Sequence, residues 1–171
     1  MAATASHQSV MPALAKFIRL GPQRSWAKAA RETGTIRFGV PSEPHDLCLK
    51  GDWKGVEAAL AHSGRRSQKI SELKGQLSDF YTLGSACLWI TAVDRRLWWG
   101  FAEPEVIDLR GSGDEMGIVA RRLRGGWNCK TIGGLELDVA ALGTAMTVTR
   151  YPGALCNVRE LEAVCRAING Q

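Results

Sequence analysis

The chain has 171 residues, enough for one domain with a sizeable core, or one domain with short tails. Hydrophobic residues make up 45% and charged residues 23%, an ordinary globular composition that argues against a fibrous or disordered chain. With 22 basic and 17 acidic residues the net charge is +5, and the pI is about 9.1. This excess favours a polyanionic partner without requiring one.

The cysteines, histidines and apolar runs narrow the class of protein further. The five cysteines include no Cys-x-x-Cys pair, and the three histidines (His7, His45 and His62) lie far apart along the chain. We therefore expect a reducing cytoplasm, no zinc site and no cofactor. The apolar runs around 86–93 and 135–142 are too short to span a bilayer, and residues 1–15 lack the pattern of a signal peptide.

The first half of the chain predicts helices placed between short strands. Ser25 and Asp52 are candidate N-caps, Gly34 is a candidate helix terminator, and Gly21-Pro22 ends the first strand. A polar, basic loop at 63–67 precedes a segment with apolar residues at helical spacing. The predicted elements are a strand at 17–20, a helix at 26–32, a strand at 35–39, and helices at 52–62 and 68–82.

The second half predicts most of the sheet. The turn Asp94-Arg95-Arg96 joins two strands, and Asn157 and Gly170 are the candidate ends of a last helix. The predicted elements are strands at 86–93, 96–103, 105–109 and 117–123, a short helix or turn from 138 to 142, a strand at 147–151 and a helix at 158–168.

These elements predict an α+β fold in which about five or six of the short strands, with inserted helices, form a small curved sheet or open barrel. The chain contains no internal repeat and no low-complexity linker. We therefore expect residues 1–15 to be a flexible lead-in and residues 16–171 to form a single domain.

The hairpin at 86–103 is the most informative segment because three tryptophans lie on it. A core alone needs only aliphatic residues, whereas an indole offers a wide flat face that can stack on a planar group. Trp98 and Trp99 are consecutive, so they face opposite sides of the strand. We expect one of them to lie in the core and the other near a binding site.

The chain resembles the EVE-like branch of the PUA superfamily, the modified-base readers of modification-dependent restriction systems. The matching segments run in order over roughly residues 17–160 and include Phe17-Ile-Arg-Leu-Gly21, Trp26, Gly34-Thr-Ile-Arg-Phe-Gly39, Gly75-Gln-Leu-Ser-Asp-Phe80, Leu97-Trp-Trp-Gly-Phe-Ala102 and Arg121 to Trp127. One departure is Gly84-Ser-Ala-Cys-Leu88, where the family often has Gly-Asp-Leu-Val.

The resemblance implies a PUA-like open pseudo-barrel that binds DNA carrying a modified base, usually cytosine or adenine. Such a base is often flipped from the duplex into an aromatic pocket. Two alternatives stay open: an RNA-binding PUA module, and an ASCH-like nucleoside hydrolase. The sequence contains no catalytic constellation, so we expect no enzymatic activity, and any cleavage to come from a fused or partner nuclease.

Predicted base-pocket residues come from the loop after the 35–39 strand, the start of the 52–62 helix, the end of the 68–82 helix and the hairpin. The aromatic members would form walls, and the polar members would read the edge of the base, although Ser42 and Asp46 could instead only cap a turn. The full set is Val40, Ser42, Asp46, Trp53, Tyr81, Trp89, Trp98 and Trp99.

Two basic clusters beside glycine-rich turns are candidates for phosphate contacts. One precedes the 68–82 helix and the other lies on the late strand. A solvated charged surface is the alternative for both clusters. The residues are Arg65, Arg66, Lys69, Arg121, Arg122 and Arg124.

Overall fold

The protein is described by a computed structural model over residues 8–40, 42–146 and 153–171. Within these residues the fold is α+β, as predicted, with seven strands, five α-helices and two 3-10 helices at Pro22–Arg24 and Val139–Met146. The strands are β1 (Ala15–Ile18), β2 (Thr35–Phe38), β3 (Leu88–Val93), β4 (Arg96–Phe101), β5 (Ile107–Asp108), β6 (Val119–Arg122) and β7 (Leu155–Asn157). The helices are α1 (Ala27–Thr33), α2 (His45–Lys50), α3 (Trp53–Ala61), α4 (Ser67–Thr82) and α5 (Leu161–Asn169).

The strands form two sheets that are connected at the ends of β4 and β6. The first has the order β4-β3-β1-β7, in which only the β1–β3 pair is parallel, and the second has the antiparallel order β2-β6-β5. Beyond β4 and β6, Ala102 bridges Leu123, and the Glu103 N–H donates to the Arg122 carbonyl at 2.7 Å. The ends of β4 and β6 therefore connect the two sheets.

The hairpin and most helix ends follow the local signals in the sequence. Asp94 and Arg95 have φ of 53° and 64°, the left-handed pair that a two-residue hairpin turn requires. Asp52 caps α3 by accepting the Gly55 N–H at 3.0 Å. Gly34 and Gly170 end α1 and α5 in left-handed conformation.

Several local predictions were wrong. Ser25 makes no cap hydrogen bond to α1, and Asn157 lies in β7 rather than capping a helix, so α5 begins at Leu161. The sequence analysis missed α2 and β7, which are only six and three residues long. The first strand begins and ends two residues before its predicted bounds. The predicted strand at 147–151 lies outside the described residues.

β3 separates two parts of the core. All six of its residues are buried, with Trp89 and Val93 in one cluster and Leu88, Ile90 and Ala92 in the other. The first cluster packs under α1, α3 and α4, and the second under α5. A strand buried on both faces favours apolar residues on both, which explains why five of the six β3 residues are apolar; the sixth, Thr91, is buried as well.

The N-terminal segment contributes to this core. Val10 is buried, its N–H donates to Asn169 Oδ1 at 2.8 Å, and its carbonyl accepts from Asn169 Nδ2 at 3.0 Å. Ala15 is buried as well, so the folded part of the chain extends N-terminal to the predicted boundary at residue 16. Of the helices described, none is both long and apolar enough to cross a membrane.

Arg121 connects the two sheets and α4 from inside the protein. Its side chain is fully buried; Nε donates to the Glu103 carbonyl at 2.8 Å and Nη1 to the Phe80 carbonyl at 2.9 Å. The guanidinium also lies 5.6 Å from the ring centre of Trp89 on β3. Because burial disfavours the charged form, the pKa of Arg121 lies below its usual range.

We predict that Arg121→Ala lowers the free energy of unfolding by about 3 kcal/mol or more, because two buried carbonyls lose their donor and a cavity remains. Arg122→Ala, at the exposed next position, should change it by no more than about 0.5 kcal/mol. Urea unfolding of both variants measures the difference. Equal effects would show that the buried guanidinium does not hold the sheets together.

Candidate functional site

An apolar cavity of about 360 Å³ opens where β1 and β2 end. This volume lies in the range of pockets that bind small molecules. Trp26, Phe38 and Ile118 provide its large apolar side chains, and Arg19 is its charged residue. The complete lining is Arg19, Gly21, Pro22, Trp26, Phe38, Gly39, Ile118, Gly153 and Ala154.

The Trp26 side of the cavity depends on the turn after β1. Gly21 has φ of 81°, and a Cβ at this position would lie 2.6 Å from Cγ and Cδ2 of Trp26. The indole therefore rests directly on the Gly21 main chain, where only glycine leaves room for it. The main-chain N–H of Trp26 donates to the Leu20 carbonyl at 3.0 Å, which fixes the start of α1 beside the cavity.

The opposite side depends on Gly39, which follows β2 with φ of 137°. A Cβ here would lie 2.2 Å from Cβ of Ile118 and 2.9 Å from Oε2 of Glu43, so no other residue fits without movement. Phe38 stacks on Phe80 of α4, with ring centres 5.3 Å apart. This wall of the cavity is therefore supported by a helix.

A buried polar network lies behind Gly39. Glu43 is 2% exposed; Oε2 accepts the Val40 N–H at 3.2 Å, and Oε1 accepts the hydroxyl of Tyr81. Nδ1 of His45 lies 2.7 Å from the same hydroxyl. With Glu43 ionised, the single hydroxyl proton goes to the carboxylate, so His45 Nδ1 is the donor to the Tyr81 oxygen. The network holds the loop after β2 against α4.

Burial sets the electrostatics of this network. It raises the pKa of Glu43 above the ordinary 4.5, although the hydrogen bonds from Tyr81 and Val40 act in the opposite direction. The pKa of Tyr81 is raised as well, through burial and the adjacent carboxylate. Both groups therefore favour their neutral forms more than they would in water.

Arg110 closes the network on its solvent side. Nη1 donates to the Glu43 carbonyl at 2.7 Å, while Nε and Nη2 donate to Asp108 at 3.0 and 2.9 Å. Together with Glu43, His45 and Asp46, the Arg110–Asp108 pair lines a polar cleft at the surface. Asp108 has a lowered pKa because Arg110 stabilises its charged form. The guanidinium of Arg110 thus both stabilises the segment around Glu43 and forms part of the cleft surface.

Four of the predicted base-pocket residues lie in or beside this network. Val40 and Tyr81 are members of it, Asp46 lines the cleft, and Ser42 is exposed in the loop with φ of 69°. None of the four lines the apolar cavity, although Val40 adjoins Gly39. Trp53 packs on the core at the start of α3 and does not line the cavity either.

The hairpin tryptophans lie outside the cavity lining. Trp89 is completely buried, which overturns its prediction as a surface for a base. Trp98 and Trp99 pack against different core clusters, as alternation predicted. The Arg31 guanidinium lies 5.0 Å from the Trp98 ring centre, and Trp99 Nε1 donates to the Lys130 carbonyl at 2.8 Å. Neither ring lines the cavity.

The predicted phosphate-binding residues separate into buried and exposed groups. Arg121 is buried, so the prediction that it contacts a phosphate is wrong. Arg122 and Arg124 are exposed on the same strand and its extension. Arg124 Nη2 donates to the Ser85 carbonyl at 2.7 Å. The other three residues lie at the start of α4: Arg65, Arg66 and Lys69.

The sequence analysis missed the residues that build the cavity and the network. Trp26, Phe38 and Gly39 entered the sequence analysis only as parts of predicted elements and of the segments that carry the resemblance, and none of them was predicted as a site residue. The sequence analysis also did not predict that the carboxylate of Glu43 is buried. The available signal was Gly39 after an alternating strand, because an isolated glycine there indicates a close backbone approach.

The described residues contain no group of three or more His, Cys, Asp or Glu side chains arranged to hold a metal ion. The five cysteines are all free. The site therefore offers aromatic and apolar surface, one lining arginine and an adjacent hydrogen-bonded loop. These groups can stack on a flat ligand and surround an apolar substituent.

We predict that Glu43→Gln changes how stability depends on pH. The pKa of Glu43 is raised in the folded protein. The stability that this carboxyl group contributes is therefore fully present below about pH 4.5 and is lost as the pH rises through its pKa in the folded protein. The unfolding free energy of the wild type should thus fall relative to Glu43→Gln, by up to about 1.4 kcal/mol per pH unit within that window.

Urea unfolding of both proteins between about pH 4 and pH 8 measures this difference. Glu105→Gln, which removes an exposed carboxylate, is the matched control variant. A wild type that gains stability relative to Glu43→Gln with rising pH would contradict the assignment of burial as the dominant effect.

Comparison with known proteins does not identify a family for this chain. A scan against protein-family models and searches of curated proteins and solved structures found no match to the chain. The resemblance to EVE-like PUA domains therefore stays a prediction from the sequence. What the chain binds has to be inferred from its own residues.

Proposed function

We propose that this chain is a nucleic-acid-binding module that takes one base, a modified cytosine or adenine of DNA, into the cavity beside Trp26. The observation that carries the proposal is an apolar cavity with an indole and a phenyl ring in its lining, in a chain of net charge +5. Stacking of a base on aromatic side chains is worth about 1–3 kcal/mol per base, comparable to the few kcal/mol that flipping requires.

The dimensions and lining of the cavity support a single base rather than a larger cofactor. Its volume of about 360 Å³ is near the lower end for small-molecule pockets. Ile118, Ala154 and Pro22 supply apolar surface for a methyl substituent, and Arg19 supplies a positive charge.

The proposed architecture is a PUA-like pseudo-barrel made from the two connected sheets. The Ala102–Leu123 bridge joins the sheets at one side, and the cavity lies at the ends of one strand from each sheet. In this arrangement the Glu43 network supports the cavity and does not act on the ligand, since both carboxylate oxygens already have partners. We therefore propose binding without catalysis.

We predict that Trp26→Ala removes any preference for a modified base and weakens binding of the preferred duplex by about 10-fold or more. Fluorescence polarisation with duplexes carrying cytosine, 5-methylcytosine, 5-hydroxymethylcytosine or N6-methyladenine measures the preference. Trp53→Ala is the matched control, since this half-buried indole packs on the same core cluster outside the cavity.

A second variant separates loss of the site from loss of the fold. Ala154→Phe fills the cavity from its lining and should remove the preference while the thermal unfolding midpoint stays close to that of the wild type. The proposal fails if Trp26→Ala and Trp53→Ala have the same effect, or if the wild type shows no preference. Tighter binding to the matching RNA would favour the RNA-binding alternative.

A further inference from the structure

A second depression, of about 700 Å³, lies on the outer face of the sheet β2-β6-β5 and is separate from the cavity. We call it the β2–β6 groove; Arg31, Arg37, Arg122 and Trp127 are the main side chains of its lining. Arg37 lines the groove and the next residue, Phe38, lines the cavity. Strand β2 therefore contributes to both depressions, and because consecutive side chains of a strand alternate, it does so from opposite faces.

Two arginines of the groove are held in place by acidic residues. Arg37 is 2% exposed, and its Nη1 donates to both carboxylate oxygens of Asp114 at 2.8 Å. Nη2 and Nε of Arg37 donate to the hydroxyls of Thr33 and Thr35. Arg31 pairs with Asp94 at 3.2 Å. These guanidiniums shape the groove, but their charges are largely compensated.

Arg122 differs from both. It is exposed on β6 opposite Thr35, and its side chain has no hydrogen bond or ion pair with any described residue. Glu32 is the acidic residue in the groove lining and lies near Lys28, 3.9 Å away. The groove therefore presents one uncompensated guanidinium, which can donate two parallel hydrogen bonds to a phosphate.

The rest of the groove suits a flexible strand with planar groups. Trp127 Nε1 donates to the Thr35 carbonyl at 2.8 Å, which fixes this half-buried indole in the lining. Gly34 and Gly126 approach so closely that a Cβ on Gly34 would lie 3.2 Å from Cα of Gly126. The groove thus combines a positive charge, an aromatic ring and bare main chain, the features used to bind single-stranded nucleic acid.

We infer that the β2–β6 groove binds the sugar-phosphate backbone of the nucleotides next to the base in the cavity, with Arg122 on a phosphate and Trp127 against a flanking base. This inference rests on the proposed function for the location of that base. It adds a division of roles: the cavity determines which base is preferred, and the groove supplies affinity that does not depend on sequence.

A length series of single-stranded oligonucleotides tests this inference. We expect affinity to increase as nucleotides are added on one side of the preferred base, and Arg122→Gln to remove most of that increase, about 10-fold at low salt. The slope of log Kd against log salt should also fall by about one, whichever base is present. Fluorescence polarisation with labelled oligonucleotides provides both values.

Arg159→Gln is the matched control, because it removes the same charge from an exposed residue that lines neither the groove nor the cavity. The inference is supported if only Arg122→Gln reduces affinity and salt slope while leaving the preference between bases unchanged. Equal losses in both variants, or no loss in either, would overturn it.

The outcomes for the cavity and the groove are distinguishable. A wild type without base preference that still loses affinity and salt slope through Arg122→Gln would refute base reading and retain the groove. A base preference removed by Trp26→Ala, together with no effect of Arg122→Gln, would support base reading in the cavity and refute the role of the groove. Binding of an acidic protein but of no oligonucleotide would refute both.

Discussion

The buried guanidinium of Arg121 is the interaction on which the arrangement of the two sheets depends. It extends from β6 in one sheet towards Trp89 in the other, and donates to main-chain carbonyls near the ends of α4 and β4. A buried charge is costly when its donors lack partners, and Nη2 has none among the described residues, so the two carbonyls that accept from Nε and Nη1 must be in place together. One side chain thus couples the positions of three elements that are distant in sequence.

From this point a continuous series of contacts leads to the cavity. Phe80, whose carbonyl accepts from Arg121, stacks on Phe38 of the cavity lining, and the next residue, Tyr81, donates to Glu43. Glu43 in turn lies directly behind Gly39. The cavity is therefore built on the packed end of α4, so that Phe38 of β2 and the loop after it are positioned by buried contacts.

The sequence predicted what is decided locally. Asp52, Gly34 and the Asp94–Arg95 turn act through hydrogen bonds or φ values within a few residues, and their roles were confirmed. The cavity could not be predicted this way, because Trp26 and Ile118 meet only after the two sheets are assembled. Aromatic richness at the hairpin was misleading, since β3 is buried on both faces and uses Trp89 as core.

The arginines show why a basic composition is a weak guide to a phosphate surface. Arg37, Arg110 and Arg121 each bind a carboxylate or main-chain carbonyls within the protein, so much of their hydrogen-bonding capacity is used in folding. The net charge of +5 can still attract a polyanion from a distance, but that attraction is screened by salt and carries no selectivity. In the proposed function, selectivity therefore comes from the apolar walls of the cavity, where a base of the wrong shape would lose stacking and packing together.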